Sequence, residues 1–92
     1  MAAESECILS NKYGLHMRPA EKLVSLANKF DADVKIIRDA DEVSGKSIIS
    51  VISLGVGPGA KLKVRCEGPD EKQALAEIVA LIEDGFGLEE EK

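Results

Sequence analysis

The sequence predicts an α+β fold in which helices cover one face of an antiparallel sheet and leave the other face open. Three observations carry this. Lys61-Leu62-Lys63-Val64-Arg65-Cys66 alternates charged and apolar residues without a break, as a strand with one wet and one dry face does. Two other stretches place apolar residues at helical spacing: Ala20, Leu23, Val24, Ala27 and Phe30, then Ala74, Leu75, Ile78, Val79, Leu81 and Ile82. Because the charged strand face must meet water, the helices should all pack on the opposite face.

Taken in order, Glu6 to Ser10 reads as a first strand, closed by the turn-forming Asn11-Lys12-Tyr13-Gly14. The first helix follows. Pro19 suits its first turn, where the missing amide hydrogen would go unpaired in any case, and the helix should run to about Phe30 before Asp31-Ala32-Asp33 breaks it. Val34 to Arg38 has the β-branched content of a second strand, and Asp39-Ala40-Asp41 turns the chain into a short third one from Glu42 to Ser44. Ser47 is placed to cap a short helix that Gly55 ends. That helix is too apolar for its size: with Val51 and Leu54 assigned to the core, Ile48, Ile49 and Ile52 are expected to form an exposed docking patch, the alternative being a short helix buried on most sides. Gly57-Pro58-Gly59 turns into the alternating strand from Lys61 to Cys66, Gly68-Pro69 stops it, and Asp70 caps a last helix that ends near Gly85-Phe86-Gly87. Residues 1–88 are expected to form a single domain, and 89–92 an acidic, mobile tail.

Ninety-two residues support one small core and leave no room for an enzyme with a cleft between two lobes. One tyrosine, two phenylalanines and no tryptophan imply an aliphatic core and no platform for stacking bases. The net charge of −5, with acid concentrated in Asp39–Glu42 and Glu89–Glu91, disfavours nucleic acid and anionic membranes as partners. The amino terminus does not resemble a secretory signal and no stretch approaches a membrane span, so a cytoplasmic location is expected. Cys7 and Cys66 keep step with apolar strand neighbours, reading as buried thiols that could lie close together if their strands pair.

The residue with chemistry is the sole histidine, in Gly14-Leu15-His16-Met17-Arg18-Pro19-Ala20, where a loop hands over to a helix. A neutral imidazole is a nucleophile that can accept a phosphoryl group and release it again. The free amides and positive pole of the helix's amino end would receive the resulting anion, and Arg18 could add a charged donor. The same residues also fit a histidine with no role. One histidine and two core cysteines supply no metal site, and no cofactor is implied. Ala40 to Ser47 satisfies a relaxed nucleotide-binding loop pattern, but only Gly45 gives the loop freedom and Asp41 and Glu42 would face the phosphates.

The run Gly-Leu-His-x-Arg-Pro-Ala resembles the active-site signature of HPr, the histidine-containing phosphocarrier of the bacterial sugar phosphotransferase system. Gly45-Lys46-Ser47-Ile48-Ile49 with Ser53-Leu54-Gly55 resembles that family's second signature, around its regulatory serine, and the likeness continues through Glu67-Gly68-Pro69-Asp70-Glu71. The resemblance implies an open-faced β-sandwich of four strands and three helices. It implies a carrier rather than a conventional enzyme: His16 takes phosphate on Nδ1 from phosphorylated enzyme I and passes it to a sugar-specific enzyme IIA, and Arg18 steadies the charge. Ser47 would be the target of an HPr serine kinase, and a monomer is expected. Met17, Glu21, Ile48, Ile49 and Ile52 would form the partner-binding surface. Met17 and Glu21 depart from the residues many family members carry, which leaves open a nitrogen-type relay or regulation instead of sugar uptake; the competing reading is a non-catalytic docking module that uses the Ile48, Ile49 and Ile52 patch.

Overall fold

The computed structural model describes residues 2–10 and 14–87, so the acidic tail, and Asn11 to Tyr13 of the first turn, lie outside the described residues. The chain runs β1 (Ala3–Ile8), α1 (Met17–Ala27), β2 (Asp33–Arg38), β3 (Asp41–Ser44), α2 (Ile48–Ser53), β4 (Lys61–Glu67) and α3 (Glu71–Glu83). The strands form one antiparallel sheet in the order β1-β4-β2-β3. This is the open-faced arrangement expected from the alternation in β4.

The sheet's dry face is built from Cys7, Val34, Ile36, Leu62, Val64 and Cys66, all buried together with Ala20, Leu23, Val51, Ala74, Ile78, Ile82 and Phe86. Its wet face is laced by ion pairs. Arg65 Nε donates to Glu4 at 2.9 Å, its Nη1 reaches Glu42 at 3.4 Å, and Lys63 and Lys61 face Glu4 and Glu6 at 3.7 and 3.9 Å. The Arg65 hydrogen bond holds the Glu4 carboxyl below its ordinary range. Such exposed pairs contribute little singly, but they neutralise the face and leave it fit for solvent.

Boundaries differ from the sequence expectation where tertiary contacts decide them. β1 begins at Ala3 rather than Glu6, because register with β4 from Ala3 opposite Cys66 to Ile8 opposite Lys61 recruits residues without strand propensity of their own. Leu9 leaves the ladder yet stays buried, bonding the turn before β4: its amide donates to the Ala60 carbonyl at 2.9 Å and its carbonyl accepts from Gly59 at 2.7 Å. The same register separates the thiols, since Cys7 stands opposite Leu62 and Cys66 opposite Ala3. Both are buried and free, and burial pushes each up to about 11, which leaves them unreactive.

Helix α1 stops at Ala27, short of Phe30, because residues 29 and 30 tighten to i−3 bonds with Leu26 and Ala27 and the chain turns under the core. Three side chains hold this turn. Asn28 Nδ2 donates to the Val24 carbonyl at 2.9 Å, Lys46 Nζ to the Phe30 carbonyl at 2.7 Å, and the Asp70 carboxylate accepts from the amides of Asp31 and Ala32 at 3.0 and 2.8 Å. Asp70 does occupy the cap position of α3, but its oxygens serve this turn instead of its own helix. Close approach makes the bridge possible: a Cβ on Gly68 would lie 2.6 Å from Ala32 Cα. After α3, Gly85, Phe86 and Gly87 all take left-handed backbone, which drives Phe86 into the core.

The amide bonds, led by that from Asp31, hold the Asp70 carboxyl below its ordinary value of 3.8. A depressed carboxyl stabilises the fold above its unfolded value and loses that contribution as pH falls through the folded one. Asp70→Asn should therefore lower the thermal midpoint at pH 7. In melts taken across pH, the gap from wild type should close as the pH drops below 3.8.

Candidate functional site

The site begins where two backbones meet. Gly14 takes a left-handed φ of +79°, and a Cβ there would fall 2.5 Å from the Val56 carbonyl oxygen and 2.8 Å from Gly57 Cα. Glycine at this position therefore satisfies both a backbone conformation and a contact that a side chain would block. The next amide, Leu15 N–H, donates to the Val56 carbonyl at 3.1 Å, and both side chains are buried. The segment entering α1 is thereby laid against the loop leaving α2.

One residue on, His16 is the N-cap of α1, with extended backbone (φ −97°, ψ −161°) and its carbonyl accepting from Ala20 at 2.9 Å. Its side chain makes no capping bond to the helix. The imidazole is half-buried with Nε2 shielded from solvent, rather than standing clear of the surface. The amides of Met17 and Arg18 belong to the first turn, which points its N–H groups out of the helix end; Pro19, third in the helix, has no amide hydrogen. No acidic residue lies in that turn, so the helix does not supply a counter-charge to its own positive pole there. The Arg18 side chain is exposed.

Around this end, Met17 is about half exposed and Glu21, one turn along, is exposed. Helix α2 packs against α1. Ser47 caps it as expected, its hydroxyl accepting from the Ser50 amide at 3.3 Å, and Gly55 follows its end in left-handed conformation. Val51 and Leu54 lie in the core, but of the three isoleucines only Ile49, at 81% exposure, is fully presented. Ile48 and Ile52 are half-buried against the core, so the apolar patch is narrower than the sequence suggests. A six-residue helix wedged between α1 and β3 turns more than one stripe inward. His16 and Ser47 form no single cluster: the histidine segment meets the exit of α2, and the serine stands at its entrance.

The nucleotide-loop pattern at Ala40 to Ser47 is resolved as a hairpin strand and a turn. Gly45 donates to the Val34 carbonyl at 2.7 Å, and Lys46 reaches away to the Phe30 carbonyl. Among the described residues no group of three or more His, Cys, Asp or Glu side chains could hold a metal ion. Among the described residues no helix is long and apolar enough to cross a membrane.

A family model described as the PTS HPr component phosphorylation site matches residues 3–84. The chain belongs to the HPr family of phosphocarrier proteins. It is 38% identical over 84 residues to phosphocarrier protein HPr of Cupriavidus necator, covering 91% of this chain and 94% of that one. It is 37% identical over 87 residues to phosphocarrier protein NPr of Escherichia coli, covering 94% and 97%. The crystal structure of an HPr from Thermoanaerobacter tengcongensis superposes with a TM-score of 0.89 at 41% identity, covering 92% of this chain and 96% of that one. Membership of the HPr family makes the chain a carrier of phosphoryl groups.

Sequence reasoning singled out Gly14 and His16 but missed Val56 and Gly57, which hold them. No local signal marked that contact, since Gly55 is accounted for as the left-handed stop of α2 and Gly57 as part of the turn before β4. Gly14→Ala should cost about 1–3 kcal/mol in denaturant unfolding. Amide shift changes in its NMR spectrum should concentrate at Leu15, His16, Val56 and Gly57.

Proposed function

We propose that His16 accepts a phosphoryl group on Nδ1 from phosphorylated enzyme I and delivers it to an enzyme IIA-type acceptor in the cytoplasm. The observation that carries this is His16 as N-cap of an acid-free helix end with Nε2 shielded, which directs a donor to the other ring nitrogen. Attack through Nδ1 uses the tautomer that carries its proton on Nε2 and its nucleophilic lone pair on Nδ1. That pair forms the N–P bond as the bond between phosphorus and the donor breaks, and delivery runs the same steps toward the acceptor. The phosphoryl oxygens are received by the outward amides of Met17 and Arg18 and by the helix pole. Amides and one exposed cation hold the group without enclosing it, which suits a phosphate that must leave again.

Met17, Glu21 and Ile49, flanked by Ile48 and Ile52, form the docking surface, and the protein works as a monomer. Ser47 is a regulatory site for an HPr serine kinase: a phosphate there adds about two negative charges beside the isoleucines, at a helix entrance that tolerates them. The nearly equal identity to an HPr and to an NPr supports a second reading, a nitrogen-type relay with the same chemistry and a different enzyme I.

Intact mass spectrometry after incubation with phosphoenolpyruvate and enzyme I should show an acid-labile gain of one phosphate in the wild type and none in His16→Ala. Running sugar-type and nitrogen-type enzyme I in parallel separates the two relays. Unchanged mass with both, and binding retained, would make the chain a docking module. Arg18→Ala should slow transfer by at least roughly tenfold while shifting stability by no more than about 0.5 kcal/mol. Ser47→Asp should raise KM for enzyme I and leave the melting curve nearly unchanged.

A further inference from the structure

We propose that Arg38 is a positioning residue for His16, acting through the loop that leaves α2. Arg38 is the last residue of β2 and pairs with Asp41 at the end of the β2–β3 hairpin. By alternation it shares the face of Val34 and Ile36, so its side chain rises toward the helices rather than into the charged open face. There its Nη1 donates to the Leu54 carbonyl over 3.5 Å. At that length the contact acts chiefly as a charge against a helix's negative pole.

Two features make the contact matter. Leu54 is the C-cap of α2, a helix of six residues with no basic residue in its own last turn, so Arg38 supplies from a neighbouring strand the cation that this pole lacks. From Leu54 the chain passes through left-handed Gly55 to Val56, whose carbonyl holds the Leu15 amide, and the next residue is His16. A guanidinium on β2 is thus joined to the phosphoryl-accepting residue through Leu54, Val56 and Leu15. Arg38 touches neither the ring nor a phosphoryl group on it in this scheme; it fixes where the cap residue stands. The inference rests on His16 being the carrier.

The test compares Arg38→Met, which keeps the stem and removes the charge, with Arg38→Lys, which keeps a charge. Amide hydrogen exchange at Leu15 should speed up roughly three- to tenfold in Arg38→Met. In transfer from phosphorylated enzyme I, kcat should fall by a similar factor with KM unchanged, and Arg38→Lys should recover most of both. Wild-type exchange and kcat in Arg38→Met would overturn the proposal. A uniform rise in exchange over the whole molecule would overturn it too, since that marks general destabilisation, and so would a raised KM with kcat intact, since that makes Arg38 a partner contact. If the wild type took no phosphate at all, the carrier reading would fail, while Leu15 exchange would still decide whether Arg38 holds the loop.

Discussion

Val56 and Leu15 are far apart in sequence, and a single backbone hydrogen bond between them sets the geometry on which the rest of the site depends. The bond needs the two chains closer than any side chain at position 14 would permit. Once it is made, the backbone can extend through His16 and coil from Met17 onward, so the imidazole is fixed at the helix's amino end rather than in the loop before it. The placement of the amino end of α1 is therefore partly a product of α2, the helix that Ser47 caps.

The two ends of α1 are held in different ways. At the carboxyl end, side chains of Asn28, Lys46 and Asp70 use their polar atoms on backbone groups of the turn, leaving a satisfied junction. At the amino end the joint is backbone to backbone, and the cap residue's own side chain is not used as a cap. The open sheet face, neutralised by pairs such as Arg65 with Glu4, stays apart from both ends.

Much of this was legible in the sequence because it depends on local periodicity. The alternation from Lys61 to Cys66 identified the sheet's two faces, and the spacing of Leu23, Val24 and Ala27 identified the buried stripe of α1. Ser47 as a cap and Gly55 as a stop are local chemistry and were read correctly. What failed was tertiary. Ala3 to Ser5 has no strand propensity and is strand only by pairing with β4. Asp70 resembles a cap for α3 until the turn at Asp31 and Ala32 arrives to compete for its oxygens. The isoleucine patch was overdrawn because one-dimensional spacing does not reveal that β3 and α1 flank α2 on two sides. At the site, the signature around His16 was visible, but the loop that holds it was not, since nothing local links Gly14 to Val56.

In the proposed relay His16 offers Nδ1 to a phosphoryl group that the first turn of α1 then receives. Two-dimensional 1H–15N NMR of the phosphorylated protein, resolving the imidazole nitrogens and the backbone amides together, tests it most directly. Phosphate is expected on Nδ1, accompanied by downfield shifts of the Met17 and Arg18 amides. Phosphate on Nε2, or phosphate on Nδ1 with those two amides unmoved, would contradict it.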